Sequence, residues 1–265
     1  MNISAWLDHA IKQLREIGVD SARLDAELIL ANTLRKNRTY LHAHPEDDID
    51  PRRVDIANAR LRLRLERVPL AYILGYRDFY GRRFTVSPQV LVPRPESEAI
   101  IELLKDLRVS GKLLDIGTGS GCLGITAKLE IPKLNVILSD ISQPALRIAR
   151  QNAEKSQADV ALIKSNLLRA VPGKFDIIIA NLPYVDRSWQ RSPETNHEPA
   201  LALFAKDEGL ALIYQLIDQL PVHLNPGALI FLEADPRQHG AIIAYAGSRQ
   251  LRHKLTRGFI VVLQA

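Results

Sequence analysis

The spacing of apolar residues changes character along the chain. Over residues 1–75, apolar residues recur every three to four positions, a period that is typical of amphipathic helices. Ser4 is a suitable N-cap for the first of these helices, and Gly18 would end it. Asp50 followed by Pro51 predicts the start of another, because aspartate caps helices well and proline is favoured at the first helical position. We therefore predict a small helical domain over residues 1–75.

Residues 76–95 show a different pattern. Phe79 and Phe84 flank Gly81, an arrangement that indicates two short strands joined by a tight turn. The segment 93–96, Pro-Arg-Pro-Glu, is a stiff connector, because each proline ring fixes a backbone angle. It precedes an amphipathic stretch that predicts a helix. We interpret residues 76–95 as a hairpin linker and place the domain boundary there.

From residue 96 onward, short apolar runs alternate with amphipathic stretches. The apolar runs lie at residues 113–116, 136–139, 160–163, 175–180, 229–233 and 259–263. Runs this uniformly apolar are typical of strands that are buried on both faces. The stretches between them, notably residues 143–155 and 208–220, have helical spacing. Repeated strand–helix units predict a parallel, doubly wound α/β sheet in a domain over residues 96–265.

The composition places the chain among ordinary globular proteins and excludes several other classes. It is 46% hydrophobic and 25% charged. No apolar run approaches the ~20 residues of a membrane-spanning helix, so we expect no membrane association. The single cysteine, Cys122, cannot form an internal disulfide, which favours a reducing compartment, and we expect a cytoplasmic protein. The seven histidines show no metal-ligand spacing, and we expect no metal.

Positive charge is concentrated in one part of the chain. Residues 51–83 contain nine arginines and three acids, a net charge of +6, whereas the whole chain carries +5. One interpretation is a solvated helix face. The other is a docking surface for a partner that carries phosphates or acidic side chains. The sequence leaves both open.

A glycine-rich segment follows the first strand of the predicted sheet. Residues 117–121 read Gly-Thr-Gly-Ser-Gly, and glycines at such a turn let a ligand lie directly on the main chain. Cys122 stands where the dinucleotide pattern has its third glycine, and no Gly-Lys-Ser/Thr follows, so the turn is not built for a pyrophosphate. Asp140 ends the second strand, where a carboxylate can accept hydrogen bonds from both ribose hydroxyls. The alternative is a tight turn without a ligand.

The fourth predicted strand runs directly into the sequence Asn181-Leu182-Pro183-Tyr184, here called the Asn-Leu-Pro-Tyr motif. Ligands of open α/β sheets bind beyond the carboxyl ends of strands, which places this motif beside the glycine loop. An amide or aromatic amino nitrogen is a poor nucleophile, because its lone pair is delocalised. The Asn181 side-chain oxygen and the Leu182 carbonyl could accept its two N–H groups, so that the lone pair faces a methyl donor. Pro183 would stiffen the turn, and the Tyr184 ring could pack on a planar substrate group. An ordinary strand-ending turn is the alternative.

Seven segments together resemble the family of peptide chain release factor glutamine methyltransferases. They are residues 24–28, 39–41, 44–46, 75–81, 92–98, 115–121 and 198–203, so the resemblance covers nearly the whole chain. The helical segments and the Pro-Arg-Pro-Glu connector are the most specific part, because many methyltransferases share the glycine loop.

The resemblance implies a class I methyltransferase fold, a doubly wound seven-stranded sheet with a final antiparallel strand and a small N-terminal helical domain. It implies S-adenosylmethionine as methyl donor, with S-adenosylhomocysteine as product, no metal and these cofactor residues: Gly117, Thr118, Gly119, Ser120, Gly121, Asp140, Ile141, Asn166, Leu167 and Asn181. Asn181, Leu182, Pro183 and Tyr184 would be catalytic and substrate-binding, with Glu198 and Pro199 adding to the substrate site. The acceptor would be the glutamine of the Gly-Gly-Gln motif in class I release factors, docked by the helical domain. We expect a monomer that needs no nucleic acid.

One position departs from the family pattern. The family usually has Asn-Pro-Pro-Tyr, whereas this chain has leucine at position 182. The carbonyl acceptor survives the change, but backbone stiffness is lost. Asn-Leu-Pro-Tyr also resembles the motif of ribosomal RNA adenine dimethyltransferases. An RNA or DNA adenine amino-group methyltransferase is therefore the alternative function, and a non-catalytic binding module is a third.

Overall fold

A computed structural model describes all 265 residues, which form two compact units. The first, here called the helical unit, consists of Met1–Gly75 together with Ser192–His197. The second, the sheet unit, consists of Tyr76–Arg191 and Glu198–Ala265. No helix in either unit is long and apolar enough to cross a membrane.

The helical unit contains five α-helices. They are α1 (Ile3–Glu16), α2 (Ala22–Leu34), α3 (Arg38–Ala43), α4 (Pro51–Leu65) and α5 (Leu70–Leu74). Their apolar faces meet around the fully buried Trp6. Asp50 caps α4 as predicted, because its side chain accepts the Arg52 N–H at 2.9 Å. Ser4 as the cap of α1 is wrong: the helix begins at Ile3, and the Asn2 side chain accepts the Ala5 N–H at 2.9 Å instead.

Most of the clustered arginines are bound within the protein. Six of the nine make hydrogen bonds or ion pairs to their own unit: Arg53 to Thr33, Arg60 to Asn32 and Thr33, Arg64 to Asp25 and Glu194, Arg67 to Ile17, Gly18 and Glu194, Arg82 to Glu130, and Arg83 to Asp78. The exposed side chains of Arg52, Arg62 and Arg77 make no such bond. Neither interpretation of the sequence anticipated that six of these nine arginines would bond to other residues of the protein.

One arginine ties a distant segment into the helical unit. Arg64 is buried in α4; its Nε donates to Asp25 at 2.6 Å and its Nη1 donates to Glu194 at 2.9 Å. Arg67 donates to the same Glu194 oxygen at 3.1 Å. Burial acts to raise the pKa of Glu194, but hydrogen bonds from Ser192, its own backbone and the two arginines outweigh burial and bring that pKa to about 2. Residues 192–197 therefore belong to the helical unit as an ion-paired, charged segment.

The sheet unit begins with the predicted hairpin, which the structure confirms. Its strands β1 (Tyr76–Phe79) and β2 (Arg82–Thr85) pair antiparallel. Tyr80 and Gly81 both have positive φ, 49° and 71°, as a two-residue turn of matching twist requires. A 3₁₀ turn, Pro95–Ser97, then leads into α6 (Glu98–Asp106).

A seven-stranded sheet forms the centre of this unit. Its strands are β3 (Lys112–Ile116), β4 (Asn135–Asp140), β5 (Val160–Lys164), β6 (Phe175–Ala180), β7 (Leu224–Glu233), β8 (Arg252–Arg257) and β9 (Ile260–Gln264). Five helices lie between them: α7 (Cys122–Glu130), α8 (Gln143–Lys155), α9 (Ala200–Leu203), α10 (Ala211–Gln219) and α11 (His239–Ser248). The strand order is β5-β4-β3-β6-β7-β9-β8, and β9 alone runs opposite to the other six strands. The predicted doubly wound fold with one antiparallel strand near the end is thus confirmed.

The order of the strands fixes where a ligand would bind. From β3 the chain winds outward through β4 and β5, then returns to place β6 on the other side of β3. The crevice beyond the carboxyl ends of β3 and β6 is the switch point at which open α/β sheets bind ligands. Apolar residues fill both faces of the sheet, in two buried clusters around Phe175 and Phe231, and so hold these strand ends in place.

Candidate active site

The glycine loop lies at the carboxyl end of β3 and leads into α7. Gly117, Gly119 and Gly121 have φ of 68°, 55° and 82°, in the left-handed region that glycine adopts without strain. Sequence and backbone agree here, since each glycine occupies a turn position where a side chain would be strained. A Cβ on Gly121 would lie 2.7 Å from the Ile125 side chain, so this glycine also lets α7 pack closely.

Asp115 braces the loop from inside the protein. Its Oδ2 accepts the Thr118 hydroxyl at 2.6 Å and the Gly124 N–H at 2.9 Å, which joins the loop to the first turn of α7. Burial raises the pKa of Asp115 to about 6, against the lowering effect of these two hydrogen bonds, and the nearby Asp140 charge raises it further. This carboxyl group is a structural support with 1% exposure and cannot contact a ligand in the cleft.

Asp140, at the end of β4, faces the same loop. Its Oδ2 accepts the Gly119 N–H at 2.9 Å, and its Oδ1 accepts the Ser142 N–H at 2.8 Å. Burial raises the pKa of Asp140, while these backbone bonds lower it. Each carboxylate oxygen has a further lone pair, so the two oxygens can still accept hydrogen bonds from a ligand in the cleft. The sequence predicted such an acceptor at this strand end.

The Asn-Leu-Pro-Tyr motif follows β6 and lies beside the glycine loop. A Cβ on Gly117 would be 3.1 Å from Leu182 Cδ2 and 3.9 Å from the Asn181 carbonyl oxygen, which measures how closely the two loops approach. The Asn181 Nδ2 donates to Ser97 Oγ at 3.2 Å. The Leu182 side chain is buried in the core beneath the glycine loop. Core packing thus restrains residue 182, where a proline ring would otherwise supply stiffness.

Tyr184 faces inward from the motif. Its hydroxyl donates to Glu233 Oε1 at 3.4 Å, and its carbonyl accepts Gln238 Nε2 at 2.9 Å. Burial raises the pKa of Tyr184, as does the Glu233 carboxyl beside it. The tyrosine is therefore a neutral donor, held at both its ring and its backbone.

A single cleft of the sheet unit brings most of the predicted residues together. Twelve of them line it: Gly117, Thr118, Gly119, Ser120, Asp140, Ile141, Asn166, Leu167, Asn181, Leu182, Pro183 and Pro199. Gly121, Tyr184 and Glu198 do not. Residues 89–94, which lead into the connector and include its first two residues, form one wall of the cleft. The exposed Leu201 lies at the edge of the cleft.

Glu198 has a different position from the one expected of a substrate ligand. Its carboxylate is 1% exposed; Oε1 accepts the Val92 N–H at 3.0 Å and Oε2 pairs with Arg94 Nη2. This glutamate fastens the connector that forms the cleft wall. Glu198 would therefore affect substrate binding only by positioning Val92 and Arg94.

Sequence reasoning missed three side chains that support the motif. Ser97, Glu233 and Gln238 are all buried, and each contacts residue 181 or 184. One signal could have revealed Glu233, because it is the single polar residue of the run 229–233 and stands at the carboxyl edge of the sheet. Ser97 and Gln238 carry no comparable signal, because their partners lie more than 50 residues away.

Comparisons with known proteins cover both units. The model of the PrmC N-terminal domain matches residues 5–75, and the model of the methyltransferase small domain matches residues 95–198. A release factor glutamine methyltransferase of Koribacter versatilis is 40% identical over 253 residues, covering 89% of this chain and 89% of its own. Those of Deinococcus radiodurans and Staphylococcus aureus are 36% and 35% identical, covering 92% and 91% of this chain and 90% and 89% of their own.

Solved structures with low sequence identity share the fold over much of this chain. A methyltransferase of Pyrococcus furiosus superimposes with a TM-score of 0.55 at 21% identity, covering 78% of this chain and 96% of its own. The 16S rRNA N2 G1207 methyltransferase of Thermus thermophilus, in complex with AdoMet and guanosine, gives 0.53 at 20% identity, covering 72% and 49%. Relatives that are 35–40% identical over about nine-tenths of both chains show that this chain belongs to the release factor glutamine methyltransferase family.

Proposed function

We propose that this protein transfers a methyl group from S-adenosylmethionine to the side-chain amide nitrogen of the glutamine in the Gly-Gly-Gln motif of class I peptide chain release factors. The observation that carries the proposal is the Asn-Leu-Pro-Tyr motif, which lines the same cleft as the glycine loop at the switch point of the sheet. The names of relatives that align over about nine-tenths of both chains support this acceptor.

The cleft residues fit the proposed cofactor. A Cβ on Gly119 would meet no atom closer than 4.0 Å, so the space above the loop is open to a ligand that lies on the main chain. Asp140 presents a carboxylate to the ribose, and the half-exposed Ile141 beside it offers an apolar face to the adenine. Asn166 and Leu167 would complete the adenine site. Bound there, S-adenosylmethionine supplies an electrophilic methyl group on a positively charged sulfur.

The acceptor amide would be held by the motif. Asn181 Oδ1 and the Leu182 carbonyl accept its two N–H groups, which directs the nitrogen lone pair toward the methyl carbon. Both acceptors are neutral oxygen atoms. They orient the amide and stabilise the positive charge that develops on its nitrogen. The new N–C bond would replace the methyl–sulfur bond of the donor, whose electron pair stays on sulfur, and one N–H proton of the methylated amide would go to solvent. Pro183 and Pro199 would confine the glutamine side chain.

The proposed partner is the release factor itself, with the helical unit as its docking domain. We propose a monomeric, cytoplasmic enzyme that uses no metal and requires no nucleic acid. Four of the nine clustered arginines pair with acids of the chain, which leaves less of that charge for phosphates. The second candidate, an adenine amino-group methyltransferase, is favoured only by Leu182.

The proposal is tested by transfer of isotope-labelled methyl from S-adenosylmethionine to a purified class I release factor. Undermethylated ribosomal RNA is the parallel acceptor, and a release factor whose Gly-Gly-Gln glutamine is replaced is the control. We expect label on the release factor and none on the control. Label on RNA alone would overturn the acceptor and support the second candidate. Label on no acceptor would favour a binding module.

A further inference from the structure

A buried acid lies beneath the Asn-Leu-Pro-Tyr motif and has no part in the function proposed so far. Glu233 ends β7 and is 2% exposed. In the parallel register, Ala180 pairs with Leu232, so Asn181 and Glu233 are the next residues on their two strands. The acid therefore lies beside the proposed catalytic asparagine but outside the cleft lining.

The hydrogen bonds around Glu233 are incomplete. Its Oε1 accepts the Tyr184 hydroxyl at 3.4 Å, whereas its Oε2 is buried and has no partner within hydrogen-bond geometry. A buried oxygen without a hydrogen-bond partner destabilises the folded state. Burial raises the pKa of Glu233, against the lowering effect of the neighbouring Ser97, Tyr184 and Asn181 side chains. A buried carboxyl group with an unpartnered oxygen lowers the stability of the fold, and its presence points to a role in the site.

The orientation of one amide supplies that role. The Asn181 Nδ2 donates to Ser97 Oγ at 3.2 Å, and the strand register places Glu233 beside Asn181. A side-chain amide is planar, with its oxygen and nitrogen on opposite sides of the Cγ atom. When Nδ2 is turned inward to Ser97, Oδ1 is turned outward. A flipped amide would direct a donor at the acceptor N–H groups and repel them.

We propose that Glu233 is a positioning residue that, with Ser97, fixes the Asn181 amide so that its Oδ1 faces the cleft. The proposal rests on the proposed function for the role of Asn181. It makes the Tyr184 hydroxyl the third member of the same network, because that hydroxyl orients the carboxyl group from the other side. Glu233 itself touches neither acceptor nor cofactor.

The test is a double-mutant cycle between Glu233→Met and Asn181→Ala, with kcat for methyl transfer and the dissociation constant for S-adenosylhomocysteine measured for each variant. We expect Glu233→Met to lower kcat by about 10- to 100-fold, since a small misplacement of a reacting group costs up to ~100-fold. Cofactor affinity should stay within about threefold of the parent. In the Asn181→Ala background, Glu233→Met should cause no further loss, because its target is gone.

Two further variants keep the result interpretable. Glu233→Gln retains the shape and one acceptor oxygen, so its kcat should lie between those of the parent and Glu233→Met. Glu154→Met makes the same change on the exposed face of α8 and should leave kcat unaltered. Cofactor binding stoichiometry reports the folded fraction, so that kcat is expressed per folded site.

Additive losses in the cycle, or an unchanged kcat in Glu233→Met, would overturn the proposal. A drop in melting temperature without a change in kcat per folded site would likewise show a merely structural role. The cycle compares variants on whichever acceptor the parent methylates. A parent enzyme that does not methylate release factor would therefore contradict the proposed function. The cycle would still measure the effect of Glu233 on kcat with the other acceptor.

Discussion

Gly209 lies against the carbonyl group of Tyr184 so closely that a Cβ on the glycine would be 1.9 Å from the carbonyl oxygen. Gly209 also has φ of 85°, a backbone conformation that other residues adopt only with strain. The same carbonyl oxygen accepts Gln238 Nε2 at 2.9 Å, and that amide also donates to the Glu208 carbonyl at 2.7 Å. The end of the Asn-Leu-Pro-Tyr motif is therefore clamped between a glycine and a buried glutamine.

This clamp predicts the effect of Gly209→Ala. The added methyl group must displace the Tyr184 carbonyl, so we expect kcat to fall by about 100-fold, given the cost of a 1 Å misplacement. Melting temperature should fall as well. Gly240→Ala is the matched control, because a Cβ there meets nothing within 4 Å and the residue lies in α11. The control should be neutral or stabilising by about 0.5–1 kcal/mol. Equal kcat in both variants would contradict the clamp.

Asn181→Ala tests the amide acceptor directly. The substitution removes the oxygen that would hold one acceptor N–H, and loss of one such oriented contact costs about 100- to 1000-fold in kcat. The dissociation constant for S-adenosylhomocysteine should change by no more than a few fold. Single-turnover methyl transfer and calorimetry separate the two quantities. A kcat equal to that of the parent would remove Asn181 from the proposed mechanism.

Asp140→Ala should act on the cofactor instead. The loss of charge-assisted hydrogen bonds costs about 1.5–3 kcal/mol, which corresponds to roughly 10- to 150-fold weaker binding. Part of this loss comes from the Gly119 N–H, which would lose its acceptor. Asp159→Ala removes the same charge from an exposed site outside the cleft and serves as the control. Unaltered affinity of Asp140→Ala in titration calorimetry would exclude the ribose contact.

Asp115 predicts a pH dependence of stability. Its folded-state pKa, about 6, lies above the ordinary value of 3.8, so the folded state binds the proton more tightly than the unfolded state. Stability is therefore lost as pH rises from about 4 to about 6, by roughly 3 kcal/mol, and stays level above that. Asp115→Asn cannot ionise and should lack this slope.

The measurement is urea unfolding of the parent and Asp115→Asn between pH 4 and pH 7. The difference in unfolding free energy should shift in favour of the variant as pH rises to about 6. The variant also alters the bonds to Thr118 and Gly124, which adds a constant offset. A difference that does not vary with pH would show that the Asp115 pKa is ordinary.

The parts that the sequence predicted well are local. A strand followed by a glycine loop, and a strand followed by the Asn-Leu-Pro-Tyr motif, each lie within a few consecutive residues. Their meeting at one edge follows from the parallel sheet. The edge strand β8 was missed because its sequence, Arg-His-Lys-Leu-Thr-Arg, is polar and mostly exposed, so it shows no apolar run.

The supporting contacts could not be read in the same way. Ser97 and Asn181 are 84 residues apart, and Arg64 and Glu194 are 130 apart. No spacing rule relates such positions, and only the folded chain brings them together. Glu198 shows the reverse case: its motif marked it for the substrate, but its buried carboxylate is bonded to Val92 and Arg94.

The ion-paired segment Ser192–His197 limits how this protein can be recombined with its relatives. A chimaera that exchanged residues 1–75 alone would move Arg64 and Arg67 without Glu194, the acid that they share. The buried Arg64 would keep only Asp25 as an ion-pair partner. The helical unit is encoded in two separate parts of the gene, so a chimaera must exchange residues 1–75 and residues 192–197 together.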